Sequence, residues 1–180
     1  IMPAGYVVPT LPPKQKLLNF FAITDVHITD KETPAQMIYL QQLYYPGPPA
    51  LVEKIGNYPW SFVTSVYSPV MLYTTHVLDA FIQTVNALHK QPGNAFDFGI
   101  SLGDVANSAQ YNELRWYLDV IAGKYITPSS GAHAGADTID YQKPFQAAGL
   151  DRTIPFYQTL GNHDHFFIGS FPLDADLQEA

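Results

Sequence analysis

The chain has 180 residues, the length of one ordinary domain, and 47% of them are hydrophobic, enough to build a real core. Only 14% are charged, and 9 basic against 16 acidic residues leave a net charge of −7, which argues against a polybasic nucleic-acid surface. There is no cysteine, so redox compartment cannot be read from disulfides, and no apolar stretch reaches transmembrane length.

Residues 17–23 (LLNFFAI) form a near-continuous apolar run that ends in Thr24-Asp25. A run of this length with a turn signal after it predicts a strand buried on both faces. Residues 30–73 then separate this strand from the first helix, far more than an ordinary loop. The stretch holds Tyr39, Tyr44, Tyr45, Tyr58, Trp60, Tyr67 and Tyr73 among several prolines, too aromatic for a disordered linker. It reads equally as a folded lid at the rim of a site or as packing over a sheet edge.

Val77, Leu78, Phe81, Ile82, Val85 and Leu88 recur at helical spacing, and Gln91-Pro92-Gly93 stops the pattern. Residues 96–102 (FDFGISL) predict a second strand running into Gly103-Asp104. Ser108 is a candidate N-cap for a second helix with Tyr111, Leu114, Tyr117, Leu118 and Ile121 on its apolar face. Residues 124–150 are rich in Gly, Ala and Ser and predict a mobile surface loop. Residues 154–160 (IPFYQTL) predict a third strand, with Pro155 at its start, where a missing N–H costs least. The order strand–helix–strand–helix–strand implies an α/β fold with parallel strands and crossover helices.

Each strand ends in a short polar block: Asp25-Val-His27, Gly103-Asp104-Val-Ala-Asn107, and Gly161-Asn162-His163-Asp164. In open α/β sheets, ligands bind outside the carboxyl ends of the strands. The three blocks would deliver hard oxygen donors and imidazoles, without sulfur, to one crevice. That set suits one or two divalent metals. Taken singly the blocks have plainer readings: Asp25 as a turn cap, Asp104 as the end of a Gly-Asp turn. Asn107 reads as a helix cap or as support for a neighbouring ligand. His165 reads as local packing, and His76, His89 and His133 as surface residues.

In sequence and order, the blocks resemble the first three motifs of the calcineurin-like metallophosphoesterase superfamily: Asp-x-His, Gly-Asp-x-x-(Asn/Asp/Tyr) and Gly-Asn-His-(Asp/Glu). The resemblance spans positions 25 to 165. It implies part of a four-layer α/β/β/α sandwich, and hydrolysis of phosphoric esters, as a phosphatase or phosphodiesterase, by a metal-activated water. It further implies two divalent ions (Mn, Fe or Zn), with Asp25 and His27 on the first, Asp104 bridging, and Asn162 on the second. His163 would face the substrate phosphate and act on the leaving oxygen. Asp164 would orient the His163 ring through its N–H. The implied partner is a small phosphate ester. An inactive scaffold that binds a partner protein and a nuclease are the competing readings, the latter disfavoured by the acidic charge.

The superfamily draws further ligands from a later His and a Gly-His-x-His block, and no His follows His165 here. The sequence is therefore expected to be the N-terminal part of a single metallophosphoesterase domain. It opens on Ile1 rather than Met, which leaves room for a removed targeting segment and a secreted or periplasmic location.

Overall fold

The structure, a computed structural model, describes residues 5–7, 15–33, 69–131 and 143–175. Most of the aromatic insert (34–68), His133 and the middle of the expected mobile loop (132–142) lie outside the described residues.

The three predicted strands form one parallel sheet in the order β1 (Phe20–Ile23), β2 (Phe98–Ser101), β5 (Phe156–Gln158). Phe20 pairs with Phe98, and Gly99 with Phe156. A 3-10 turn (Pro69–Tyr73) leads into α1 (Thr74–His89), which joins β1 to β2. Helix α2 (Tyr111–Ala122) follows β2. Before β5, β3 (Tyr125–Ile126) and β4 (Phe145–Gln146) pair antiparallel. The chain continues through a short α3 (Asn162–His165) and a hairpin of β6 (Phe166–Phe167) and β7 (Phe171–Pro172). No helix among the described residues is long and apolar enough to cross a membrane.

The core lies where α1 and α2 meet the strand ends. Leu78 and Ile82 of α1 and Trp116, Tyr117 and Val120 of α2 close on Ile28, Val105 and Ile126. Strand alternation turns Phe21, Ile23 and Phe156 toward the helices, and Phe20, Phe98 and Tyr157 the other way. On that second face Phe20 stacks on Phe98 at 4.9 Å. Phe20 stays 52% exposed and Tyr157 59%. The expectation of strands buried on both faces is thus corrected: the runs are apolar throughout, but among the described residues helices pack on one face.

The buried face of α2 also differs from the expected one. It comprises Glu113, Trp116, Tyr117 and Val120, whereas Tyr111, Leu114 and Leu118 are exposed. The pattern was obscured because a carboxylate, Glu113, occupies the centre of the buried stripe. Ser108 is not the N-cap; Gln110 is, and no side chain bonds there. Segment 124–150 is not all loop, since it carries the β3–β4 pair. The Glu32 carboxylate also pins its near end, accepting N–H bonds from Ser130 (2.8 Å) and Gly131 (3.1 Å).

Polar side chains of α1 fix the approach to β5. Asp79 accepts the Ala148 N–H at 2.7 Å, and Asn86 bonds Gly149 O and Asp151 N–H at 2.7 and 2.8 Å. His89 accepts the Phe96 N–H at 2.9 Å and meets Thr153 at 3.1 Å. It is a fastener rather than a surface residue. His76 is half-buried against Phe145, with ring centroids 4.5 Å apart.

Candidate metal centre

The loops beyond β1 and β2 continue side by side after the regular ladder ends. The N–H of Asp25 donates to Gly103 O (3.2 Å), that of His27 to Asp104 O (3.0 Å), and that of Ile28 to Val105 O (2.8 Å). To keep this pairing, the chain turns through left-handed backbone at Asp25 (φ 54°), His27 (φ 47°) and Asp104 (φ 54°). Side chains avoid that region at a cost of roughly 1–2 kcal/mol per residue, less for Asp. Such strain persists only where the surroundings fix it, and it clusters at functional sites. Three of the six expected site residues carry it.

The third block docks through missing side chains. A Cβ on Gly103 would lie 2.4 Å from Gly161 N, and one on Gly161 only 2.2 Å from Asp104 Oδ1. Gly103 also needs its φ of +103°. Gly161 has an ordinary φ of −103° and is required for close approach alone.

Two carboxylates lock the second and third blocks together. Asp104 Oδ1 accepts the His163 N–H at 2.8 Å. Asp164 accepts the N–H groups of Asp104 (2.9 Å), Val105 (2.9 Å), Ala106 (3.0 Å) and Gly161 (2.9 Å). This corrects the role expected of Asp164. It shapes the Asp104 loop, and the His163 ring takes its partner elsewhere.

That partner is Asn107. Its backbone carbonyl sits 2.6 Å from His163 Nδ1, and its side-chain Oδ1 is 3.1 Å from His27 Nδ1. A carbonyl only accepts, so each ring turns an Nδ1–H to Asn107, which leaves Nε2 as the nitrogen available to another partner. Asn107 is held in turn by Glu113, whose carboxylate is fully buried. Glu113 accepts N–H bonds from Asn107 (3.1 Å), Ser108 (2.8 Å) and Asp30 (2.9 Å), so one side chain ties the loop after β1 to the loop after β2. Burial pushes the Glu113 carboxyl up to about 7, against the pull of those N–H donors.

These supports bring His27, Asp104 and His163 into one group, one donor atom from each lying within 4.8 Å of the others. The nitrogen–oxygen–nitrogen set, with both imidazoles already oriented from behind, fits a divalent transition ion. Asp25 stands beside the group, its Oδ1 3.8 Å from His27 Nε2 and its side chain 61% exposed. Asn162 is exposed and gives its amide N–H to Gly169 O at 3.0 Å. His165 lies outside the group, tilted against Phe166. A neighbouring cleft of about 290 Å³, lined by Ile23, Val26, Val77, Leu78 and Phe81, reaches Asp25 but is mostly apolar, so the donor set belongs to the group and not to the cleft.

Glu113 is the supporting residue that the sequence pattern misses; its signal is a lone carboxylate on the buried helix stripe. No family model, curated protein or solved structure matches this chain.

Proposed function

We propose that this chain carries the N-terminal motif half of a calcineurin-like metallophosphoesterase, a metal-dependent phosphoric ester hydrolase acting on a small phosphate ester. The observation that carries the reading is the meeting of His27, Asp104 and His163, drawn from three motif blocks at the ends of three parallel strands. The aromatic row of Phe20, Phe98 and Tyr157, exposed at Phe20 and Tyr157 and half-buried at Phe98, is consistent with a second layer of the four-layer sandwich packing there.

In this reading Asp25, His27, Asp104 and Asn162 would be the residues that hold two divalent ions. The ions would supply positive charge to the phosphate oxygens and a water made nucleophilic near neutral pH. His163 presents Nε2 to the substrate, held by its Nδ1 bond to Asn107 O. There a ring protonated at both nitrogens would give its Nε2 proton to the leaving oxygen while Nδ1–H stays on Asn107 O, or would stabilise the charge that develops on that oxygen. Asp164 keeps the Asp104 loop in shape, so the bridging carboxylate need not reorganise as substrate binds.

The test is turnover of p-nitrophenyl phosphate and its bis ester by the full-length protein with added Mn²⁺. Hydrolysis that a chelator abolishes and Mn²⁺ restores is expected. Absence of turnover on both esters at every metal tried would contradict the reading.

A further inference from the structure

We infer that the apolar cleft beside the metal group seats the organic group of the ester, and that this group is a hydrocarbon, a short alkyl chain or an aromatic ring, rather than a sugar. The inference rests on the phosphate-ester reading above and deepens it by naming the substrate class.

One wall of the cleft is a single face of α1. Thr74, Val77, Leu78 and Phe81 fall at i, i+3, i+4 and i+7, and the core uses only part of that row. Leu78 is 2% exposed, whereas Val77 lines the cleft and stays 63% exposed. The other wall is the turn 23–26, where Ile23 and Val26 add apolar surface. The volume of about 290 Å³ sits at the small end of ligand clefts, which run from about 300 to 1,000 Å³.

Asp25 joins the cleft to the donor group. Its Oδ2 accepts the hydroxyl of Thr24, a neighbour in the cleft wall, at 2.5 Å. Its Oδ1 lies 3.8 Å from His27 Nε2, the ring nitrogen that Asn107 leaves available. A phosphate held at the His27–Asp104–His163 group would therefore have the cleft one side chain away.

The lining selects what enters. Its one charged side chain is Asp25, which repels a further anionic group. Its two hydroxyls are already committed, Thr24 to Asp25, and Thr74 between the Thr29 N–H (3.2 Å) and Met71 O (3.4 Å). A sugar would give up bonds to water here without finding a side-chain partner, which is costly. A hydrocarbon gives up no hydrogen bond and gains by leaving water.

The experiment is isothermal titration calorimetry of the full-length protein, loaded with Zn²⁺, against methyl-, butyl- and 3-hydroxypropylphosphonate. Their P–C bond is not hydrolysed, so binding is read without turnover. Each methylene taken up by the cleft should tighten binding about two- to fourfold, which makes butylphosphonate roughly 10–60-fold tighter than methylphosphonate. 3-Hydroxypropylphosphonate, with the same chain length but a hydroxyl to desolvate, should bind roughly fivefold or more weaker than butylphosphonate. Val77→Asn, at an exposed position, should keep the methylphosphonate affinity and lose most of the butyl gain.

Equal affinity for methyl- and butylphosphonate would overturn the inference and leave the metal-site reading intact. So would 3-hydroxypropylphosphonate binding as tightly as butylphosphonate, or a full butyl gain in Val77→Asn. A protein that takes up no Zn²⁺, or that holds Zn²⁺ and binds none of the three phosphonates, would overturn the reading and the inference together. If Val77→Asn does not fold, nuclear Overhauser contacts between the butyl chain and the Phe81 ring in Zn²⁺-loaded wild type decide. Such contacts support the cleft, and their absence overturns it.

Discussion

Asp104 and Asp164 grip each other through the backbone: Asp164 accepts the Asp104 N–H at 2.9 Å, while Asp104 accepts the N–H of His163, the residue just before Asp164, at 2.8 Å. The two blocks that meet here are about sixty positions apart in the chain. Their relative position is set by charged acceptors on rigid N–H groups, and hydrogen bonds to charged groups are the stronger kind.

Asp164→Ala leaves four backbone N–H groups without their acceptor. It should cost about 3 kcal/mol of stability, judged by the net worth of charge-assisted bonds. Asp164→Asn keeps one acceptor oxygen and should cost less. Urea denaturation of the three proteins checks the order. An Asp164→Ala protein as stable as wild type would show that the loop holds its shape unaided.

Glu113 makes stability depend on pH, with a sign fixed by its raised pKa. Its folded value, about 7, lies above the ordinary value of 4.5. The carboxyl therefore adds stability in full below pH 4.5, and that contribution is lost as pH rises toward 7. Wild type should lose roughly 3 kcal/mol relative to Glu113→Gln across that window, at about 1.36 kcal/mol per pH unit. A difference between the two proteins that stays flat with pH would mean that the N–H donors from Asp30, Asn107 and Ser108 keep Glu113 ionised throughout.

His163 separates chemistry from metal binding. His163→Ala should retain most of the metal and lower kcat by roughly 10²–10⁴-fold, the usual worth of a positioned proton donor. Metal analysis alongside turnover checks both halves. Loss of metal with an unchanged rate per bound ion would move His163 into the ligand set, where its nearness to His27 and Asp104 also allows it.

The sheet was legible because its strands are short apolar runs that stop at Asp25, Gly103 and Gly161, and because intervening helices force parallel pairing. The buried stripe of α2 was not legible. Glu113 reads as a solvated residue until the loops after β1 and β2 are seen to aim their N–H groups at it. The same limit hid the true role of Asp164, three of whose four partners are backbone atoms about sixty residues away that no side-chain pattern encodes. Asn107 was readable only as a choice between cap and support. Its bonds to both imidazoles decide for support, since Gln110 takes the cap position.

The measurement closest to the central claim is metal content and turnover of Asp104→Asn against wild type, in the full-length protein with Mn²⁺. The amide keeps the size and one oxygen of Asp104 but removes the negative charge that two cations would share. The account predicts that bound metal and hydrolysis of p-nitrophenyl phosphate or its bis ester fall together, with the fold retained. Unchanged metal content and unchanged rate would remove Asp104 from the site and contradict the account.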